Sequence, residues 1–256
     1  MPQLKHTLAI LATLAVAGIA ACSNDTAPAT STVTDASLTA DLAVSAGDAI
    51  ATDVSDMVGN EQYSTANSNV SADAGATDSS SLTRTRTRTC YDASGNVVTC
   101  GQGLTASAVV TLQLDGFWTG NQFTAIVHRQ RHDSISGIGA GSTARTHNGY
   151  GISQDTTTYT RDVTTRVANI AASDTTMDLV FNLPHANNPW PVSGQVIRNM
   201  NATFIVTKGA TKTRTILRRA VVTFPADAEG NVPIEVGTLS CTLNLVTHKV
   251  TGCTGG

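Results

Sequence analysis

The sequence predicts an all-β domain, an antiparallel meander folded as a sandwich or an open barrel, preceded by one acidic helix and flexible linkers. Three observations predict this class. Threonine is abundant and aromatic residues make up only 4% of the chain, a composition that favours strands over helical bundles. After residue 83, apolar and polar residues alternate in one segment after another. Clusters of Gly, Asn and Ser separate these segments at short intervals, and none of them has helical periodicity.

The first 21 residues have the organisation of an export signal. Lys5 supplies a positive charge, and residues 8–19 form an apolar run that is too short to span a membrane well. The segment closes with a branched apolar residue, two small residues and a cysteine, which are Ile19, Ala20, Ala21 and Cys22.

This ending resembles the lipobox of bacterial lipoproteins. The resemblance implies that a signal peptidase cleaves before Cys22, and that Cys22 receives a diacylglyceryl group and a further acyl chain such as palmitate. Two or three acyl chains hold a protein to a membrane without spanning it. Ser23, rather than Asp, follows the cysteine, which in this family favours the outer membrane of the bacterial cell envelope. An ordinary secretory signal with a chance cysteine is the alternative.

Charge divides the rest of the chain into an acidic part and a basic part. Residues 22–82 contain nine acidic residues and no Lys or Arg, whereas residues 83–256 contain 15 Lys and Arg against ten acidic residues. The whole-chain charge of −3 hides this asymmetry. The predicted organisation is a signal peptide (1–21), a flexible tether (22–33), an acidic amphipathic helix (34–60), a low-complexity linker (61–82) and an antiparallel β domain (83–256).

The predicted helix lies between two segments that contain almost no large apolar residue and are expected to be flexible. Over residues 35–58 apolar residues recur at helical spacing, with Thr34 or Asp35 as the N-cap and Gly59 as the stop. Gly47 weakens the apolar stripe and Asp53 interrupts it, so the helix needs a surface on which to dock. Two interpretations stay open: a transient helix inside a spacer, or a helix that docks on the basic domain and covers a groove.

The predicted strands follow from alternation and the predicted turns from local composition. Turns are expected near residues 94–96, 119–121, 148–149, 208–209 and 229–231. The residues predicted to share the apolar faces of four segments are Ala106, Ala108, Val110, Leu112 and Leu114; Met177, Leu179, Phe181 and Leu183; Val196, Met200, Ala202, Phe204 and Val206; and Leu217, Val221 and Thr223.

Four cysteines remain after Cys22, and an even number in an exported chain predicts disulfides. Four cysteines allow three pairings. Spacing favours the local one, Cys90 with Cys100 and Cys241 with Cys253, because each pair flanks a predicted turn. Each bond would close a short loop and stabilise the fold by about 2 to 3 kcal/mol.

Two features are candidate binding sites. Arg84, Arg86 and Arg88 alternate with Thr and therefore share one face of a strand, called here the arginine stripe. Arginine suits the recognition of carboxylate and phosphate, so the stripe predicts contact with an anionic envelope polymer or lipid head groups. Alternatively, the stripe is a solvated face that protects an edge strand. Trp190, between two prolines, predicts stacking on a sugar, insertion into a lipid interface, or packing over one end of the core.

Signatures of metal binding and catalysis are missing from the sequence. His128 and His132 would lie about 13 Å apart on one strand, too far to share an ion. No zinc-protease motif, GxSxG elbow or SxxK motif occurs, and the carboxylates of the β domain are scattered. No metal, cofactor or enzymatic activity is predicted. A nucleic-acid partner is not expected either, because the domain is only mildly basic and poor in aromatic residues.

Three classes of function remain. The favoured class is a membrane-anchored lipoprotein whose β domain is a non-enzymatic binding or envelope-structural module. The second is a carrier of an apolar ligand or lipid in a half-open barrel. A carrier needs a large apolar cavity, closed by the acidic helix and lined by Met177, Leu179, Phe181, Met200 and Phe204. The third is a glycan-acting hydrolase, which requires carboxylates or histidines clustered in a cleft. The ligand and the oligomeric state are left open.

Overall fold

The computed structural model of this chain describes residues 33–59, 81–101, 103–120, 122–161, 164–184, 188–208 and 210–255. The predicted signal peptide, Cys22 and nearly all of both predicted linkers lie outside these residues. Within them the chain forms one helix followed by eleven strands. The elements are α1 (Asp35–Gly59), β1 (Ser81–Tyr91), β2 (Val97–Val98), β3 (Ser107–Thr119), β4 (Phe123–Ser136), β5 (Ala144–Arg161), β6 (Thr164–Asn182), β7 (Ser193–Lys208), β8 (Ala210–Thr223), β9 (Asn231–Val236), β10 (Leu239–Asn244) and β11 (Lys249–Thr254).

The eleven strands form a single antiparallel sheet. Their order is β11-β10-β9-β8-β7-β6-β5-β4-β3-β1-β2, so nearly every strand pairs with its neighbours in sequence. The two ends of this order do not pair with each other in the part of the chain that the structure describes, and the sheet is therefore open. An antiparallel meander behind one acidic helix is the fold class that the sequence predicts, and this prediction is confirmed.

The helix begins and ends where its capping residues predict. The hydroxyl of Thr34 accepts a hydrogen bond from the backbone N–H of Ser37 at 3.2 Å, which satisfies one of the free donors of the first turn. The last helical residue is Gly59. Along one side, fully buried residues such as Leu38, Leu42, Ile50 and Val54 join the core of the sheet.

The same five-residue turn occurs twice in the sheet. In the sequences DASGN (residues 92–96) and DAEGN (residues 227–231), the aspartate carboxylate accepts hydrogen bonds from both the backbone and the side-chain N–H of the asparagine. In the first of these turns, the hydrogen bonds from Asn96 lower the pKa of Asp92. Gly95 and Gly230 adopt φ of 83° and 80°, a left-handed conformation that favours glycine.

Both predicted disulfides are present. Cys90 at the end of β1 bonds to Cys100, and Cys241 in β10 bonds to Cys253 in β11. The Cα atoms of the two pairs are 5.3 and 4.1 Å apart. The local pairing that the spacing favours is therefore correct.

The alternation predicted for β6 is wrong at one residue because of a bulge. The register with β7 shifts between Met177 and Val180, and Asp178 adopts a φ of 47°. The extra residue moves Met177 to the outer face, where its side chain is 46% exposed, whereas Leu179 and Phe181 remain buried.

Two further strand predictions are wrong. Residues 148–149 do not form a turn; they lie inside β5, where the register with β6 shifts between His147 and Gly149. In β8 the predicted apolar face is reversed, and Leu217 is 69% exposed. The inner face of β8 contains a charged residue and an alanine, so both faces look equally apolar in the sequence. Its inward residues are Ile216, Arg218, Ala220 and Val222.

Candidate functional site

The inner face of the sheet curls around α1. Every residue from 41 to 51 is buried, including the polar Asp41 and Asp48, although a helix packed on a flat sheet leaves one side exposed to solvent. The curl brings distant parts of the sheet together. Trp118 on β3 lies with its ring centroid 6.4 Å from that of His248, in the turn between β10 and β11. The inner face is therefore concave, and α1 occupies it.

Ion pairs connect the acidic helix to the sheet along its length. They step across the sheet, from β8 near the N-terminus of α1 to β1 near its C-terminus, so the helix crosses the strands. The carboxylates all belong to α1 and the guanidinium groups all belong to strands. The pairs are Asp35 with Arg214 (2.8 Å), Asp41 with Arg166 (2.7 Å), Asp53 with Arg131 (2.6 Å) and Asp56 with Arg84 (3.2 Å).

Arg131 is the most connected of these arginines. Besides Asp53 on the helix, it contacts Asp133 on its own strand at 2.8 Å and donates a hydrogen bond to the hydroxyl of Thr176 on β6. Arg131 and its three partners are largely buried, and the most exposed of them, Asp53, has a side chain that is 15% exposed. Burial raises the pKa of Asp133, because it disfavours the charged carboxylate more than Arg131 stabilises it. Arg131 therefore joins α1, β4 and β6 in a region with little water.

A second buried network lies in the middle of the sheet. Arg198 on β7 is 1% exposed and donates hydrogen bonds to Asp174 at 2.6 Å and to the hydroxyl of Ser153 at 2.7 Å. Asp155 on β5 accepts hydrogen bonds from both Arg198 and Arg129. Burial raises the pKa of Asp174 although Arg198 opposes this change. Paired in this way, the charges behave as structural groups of the concave face.

The arginine stripe also faces inward. Arg84, Arg86 and Arg88 are each half-buried, while the intervening threonines are exposed. Arg84 pairs with Asp56, and burial still raises the pKa of Asp56 to about 6. The Nε–H groups of Arg84 and Arg86 are buried and have no hydrogen-bond acceptor among the described residues. The stripe thus contributes to the concave face near the C-terminus of α1.

His147 is the most unusual titratable group of the concave face. Its side chain is 1% exposed and lies edge-on to Phe181, with ring centroids 5.1 Å apart. Neither ring nitrogen has a hydrogen-bond partner within the described residues. Burial, together with the charges of Arg145 and Arg131, lowers the pKa of His147 to about 3. The imidazole is therefore neutral in the folded protein at ordinary pH.

This neutral histidine predicts a loss of stability in acid. In the unfolded chain its pKa is about 6.5, so between pH 6.5 and 3 the unfolded state binds a proton that the folded state does not. The contribution of the neutral His147 to the free energy of unfolding is fully present above pH 6.5 and decreases by about 1.4 kcal/mol per pH unit between pH 6.5 and 3. Asp56, whose pKa is raised to about 6, has the opposite effect: it increases the free energy of unfolding as the pH falls below 6.

A variant isolates the contribution of His147. The difference in unfolding free energy between wild type and His147→Phe should move by about 2 kcal/mol in favour of the variant between pH 7 and pH 5. Urea unfolding at several pH values measures it. Phe204→Leu, which removes similar aromatic volume from the core beside Tyr159, is the matched control and should show a difference that does not change with pH. A constant difference for His147→Phe would show that its imidazole is not buried as described.

The two histidines of the segment HRQRHD point away from the helix. His128 pairs with Asp115 at 2.9 Å, and His132 stacks on Tyr150 with ring centroids 5.0 Å apart. The arginines between them, Arg129 and Arg131, face inward. Among the described residues, no group of three or more His, Cys, Asp or Glu is placed to hold a metal ion.

The apolar residues suggested for a carrier cavity form part of the packed core. Leu179, Phe181, Met200 and Phe204 are buried in one cluster with the apolar residues of α1, and Met177 lies on the opposite face. An open depression of about 570 Å³ is bordered by β6, β7 and β8, and much of its lining is polar or small. Trp190, in the loop before β7, is half-buried and packs against the core.

Sequence reasoning missed most of the concave face. Asp155, Asp174, Arg198 and His147 were not selected as site residues, because a buried polar residue on a strand looks like an exposed one. One signal was available: a helix with only acidic charges preceding a sheet with a surplus of arginine. That signal predicts docking, although it does not predict which residues pair.

In the part of the chain that the structure describes, no helix has both the length and the hydropathy that crossing a membrane requires. Comparisons of the chain with protein-family models, with curated proteins and with solved structures find no match.

Proposed function

We propose that this chain is an exported lipoprotein, anchored through Cys22 to a membrane of the bacterial cell envelope, whose β domain is a non-enzymatic binding or envelope-structural module. The lipobox-like residues 19–22 and the export signal support the anchor. The occupation of the concave face by α1 is the observation that favours a module over a carrier. The surface on which a half-open barrel would hold its cargo is filled by the chain itself.

Two features of the concave face weigh against the other classes. A carrier of an apolar ligand would have to expel α1, and the surface then uncovered would contain charged groups such as Arg131 and Arg198 beside the apolar ones. A glycan-acting hydrolase needs two carboxylates on either side of an accessible bond. Asp133, Asp155 and Asp174 are instead buried and bonded to arginines.

The anchor is tested by labelling cells that produce the full chain with an alkyne analogue of palmitate. We expect the wild-type protein to carry the label and to sediment with membranes, because Cys22 is acylated. Cys22→Ala should carry no label and should not be membrane-bound, whereas Cys90→Ala, which removes a disulfide cysteine, should still be labelled. Labelling of Cys22→Ala, or an unlabelled wild type, would contradict lipid anchoring.

The module is distinguished from the carrier by native mass spectrometry. Residues 23–256 are exported without lipid to an oxidising compartment, and the intact mass is measured before and after organic extraction. We expect a bare chain that is four hydrogens lighter than the reduced chain because of its two disulfides. A reproducible extractable mass would favour the carrier instead.

A further inference from the structure

Strand β1 has one backbone edge without a partner strand. On one side it pairs with β3 over its full length, from Ser81 opposite Phe117 to Tyr91 opposite Ser107. On the other side it pairs only with β2, and only at its last two residues. Among the described residues, the second edge of residues 81–89 is thus unpaired. Its free N–H and C=O groups extend over about 30 Å and can accept another strand.

The two faces of this edge differ in chemistry. The arginine stripe points to the concave side and the threonines point outward. In the described part of the chain, the Nε–H groups of Arg84 and Arg86 are buried and have no hydrogen-bond acceptor. Among the same residues, Arg84 forms an ion pair with Asp56 and Arg86 forms none. An added strand would place every second side chain beside the stripe, where a carboxylate could accept these hydrogen bonds.

The same pattern disfavours a second copy of β1 as the partner. In an antiparallel pair, residues directly opposite each other share one face, so pairing centred on Arg86 would set Arg86 against its own copy and Arg84 against Arg88. Like charges opposite each other destabilise a sheet. The stripe therefore protects the edge from self-association and leaves it open to a strand of opposite charge.

We propose that the free edge of β1 binds, by antiparallel strand addition, an extended peptide segment with acidic residues at every second position and Thr or Ser between them. Main-chain hydrogen bonds to residues 81–89 provide affinity. The alternate carboxylates beside Arg84 and Arg86 provide selectivity. The hydroxyl residues of the peptide lie beside Thr83, Thr85 and Thr87 on the outer face, where Thr pairs are favourable. This inference rests on the proposed function only in treating the domain as a binding module, and it does not require the lipid anchor.

The test uses a fluorescein-labelled peptide with the sequence TDTDTDTDT and the full chain carrying its native disulfides. Fluorescence anisotropy should show saturable binding to the wild type. Arg86→Glu should weaken binding at least about tenfold, because it places a like charge beside the peptide carboxylates. Arg219→Glu is the matched control, since it makes the same charge change at an exposed position of β8, and it should bind within about twofold of wild type.

Two further measurements keep the test decisive. The peptide TTTDDDDTT has the same charge without the alternation and should bind at least about tenfold more weakly than TDTDTDTDT. In the wild type, TDTDTDTDT should slow amide hydrogen exchange in residues 81–89. This measurement does not depend on the folding of any variant. The inference is overturned if TDTDTDTDT does not bind the wild type at concentrations up to about 1 mM, or if the two peptides bind equally well. It is also overturned if Arg219→Glu loses as much affinity as Arg86→Glu, or if the peptide slows amide exchange only outside residues 81–89. None of these results depends on palmitate labelling, so failure of the edge site and failure of the lipid anchor are separate outcomes.

Discussion

Replacing Arg131 with methionine is expected to lower the free energy of unfolding by about 3 to 5 kcal/mol. The substitution preserves most of the side-chain volume but removes the cation between Asp53 and Asp133, which it contacts at 2.6 and 2.8 Å. Both carboxylates would then be left in a buried region without their main counter-charge. Because α1 supplies Asp53 and β4 supplies Asp133, the loss should weaken the attachment of the helix as well as the sheet.

The effect of Arg131→Met on stability can be compared with that of a matched control variant and followed as a function of pH. Arg219→Met makes the same chemical change at an exposed residue of β8 and should alter stability by no more than about 0.5 kcal/mol. The deficit of Arg131→Met should shrink as pH falls towards 4, since burial raises the pKa of Asp133 and its protonation removes an uncompensated charge. Urea denaturation of the three proteins measures both effects. Similar stabilities of Arg131→Met and Arg219→Met would show that the network contributes nothing net to stability.

Leu42→Ala should lower the free energy of unfolding by about 2 to 5 kcal/mol, the range for a fully buried leucine. Leu42 is 0% exposed and belongs to the cluster that α1 shares with the sheet. Alanine has the higher helix propensity, so a weaker helix cannot explain the loss. The exposed Val246→Ala, also a loss of apolar volume, should cost less than about 0.5 kcal/mol. Equal effects of the two substitutions would mean that α1 is not part of the core.

Local signals account for the parts of the fold that could be predicted. The helix ends at Thr34 and Gly59 because capping depends on a few adjacent residues. The turn at residues 94–96 and the pairing of Cys90 with Cys100 depend on short separations in the same way. Where apolar residues occupy every second position, as from Ala108 to Leu114 in β3, the predicted face is buried.

Other features depend on which face of the sheet is covered, and alternation does not contain that information. The inner face of β5 consists largely of polar residues, including Arg145, His147, Ser153 and Asp155, so the strand has no apolar pattern to detect. The arginine stripe alternates with threonines that are also polar, and only the position of α1 determines that the arginines face inward. In β6 one extra residue at Asp178 reverses the face of Met177.

The charge asymmetry was the most informative long-range signal in the sequence. A helix with five aspartates and no cation precedes a sheet whose inner face is rich in arginine. Coulomb attraction between the two is strengthened by burial, which also makes each unpaired charge costly. Helix and sheet therefore stabilise each other, since each provides the counter-ions that the other needs.

Helix α1 is an integral part of the β domain and not a helix resting on a finished sheet. Native-state amide hydrogen exchange of the full chain, followed with increasing urea, measures whether the helix opens separately from the sheet. We expect the amides in the buried part of α1, residues 41–51, to exchange only through global unfolding, with the same free energy as those at the centre of β6 and β7. Exchange of the α1 amides through a separate opening that costs about 3 kcal/mol less than unfolding of the sheet would contradict it.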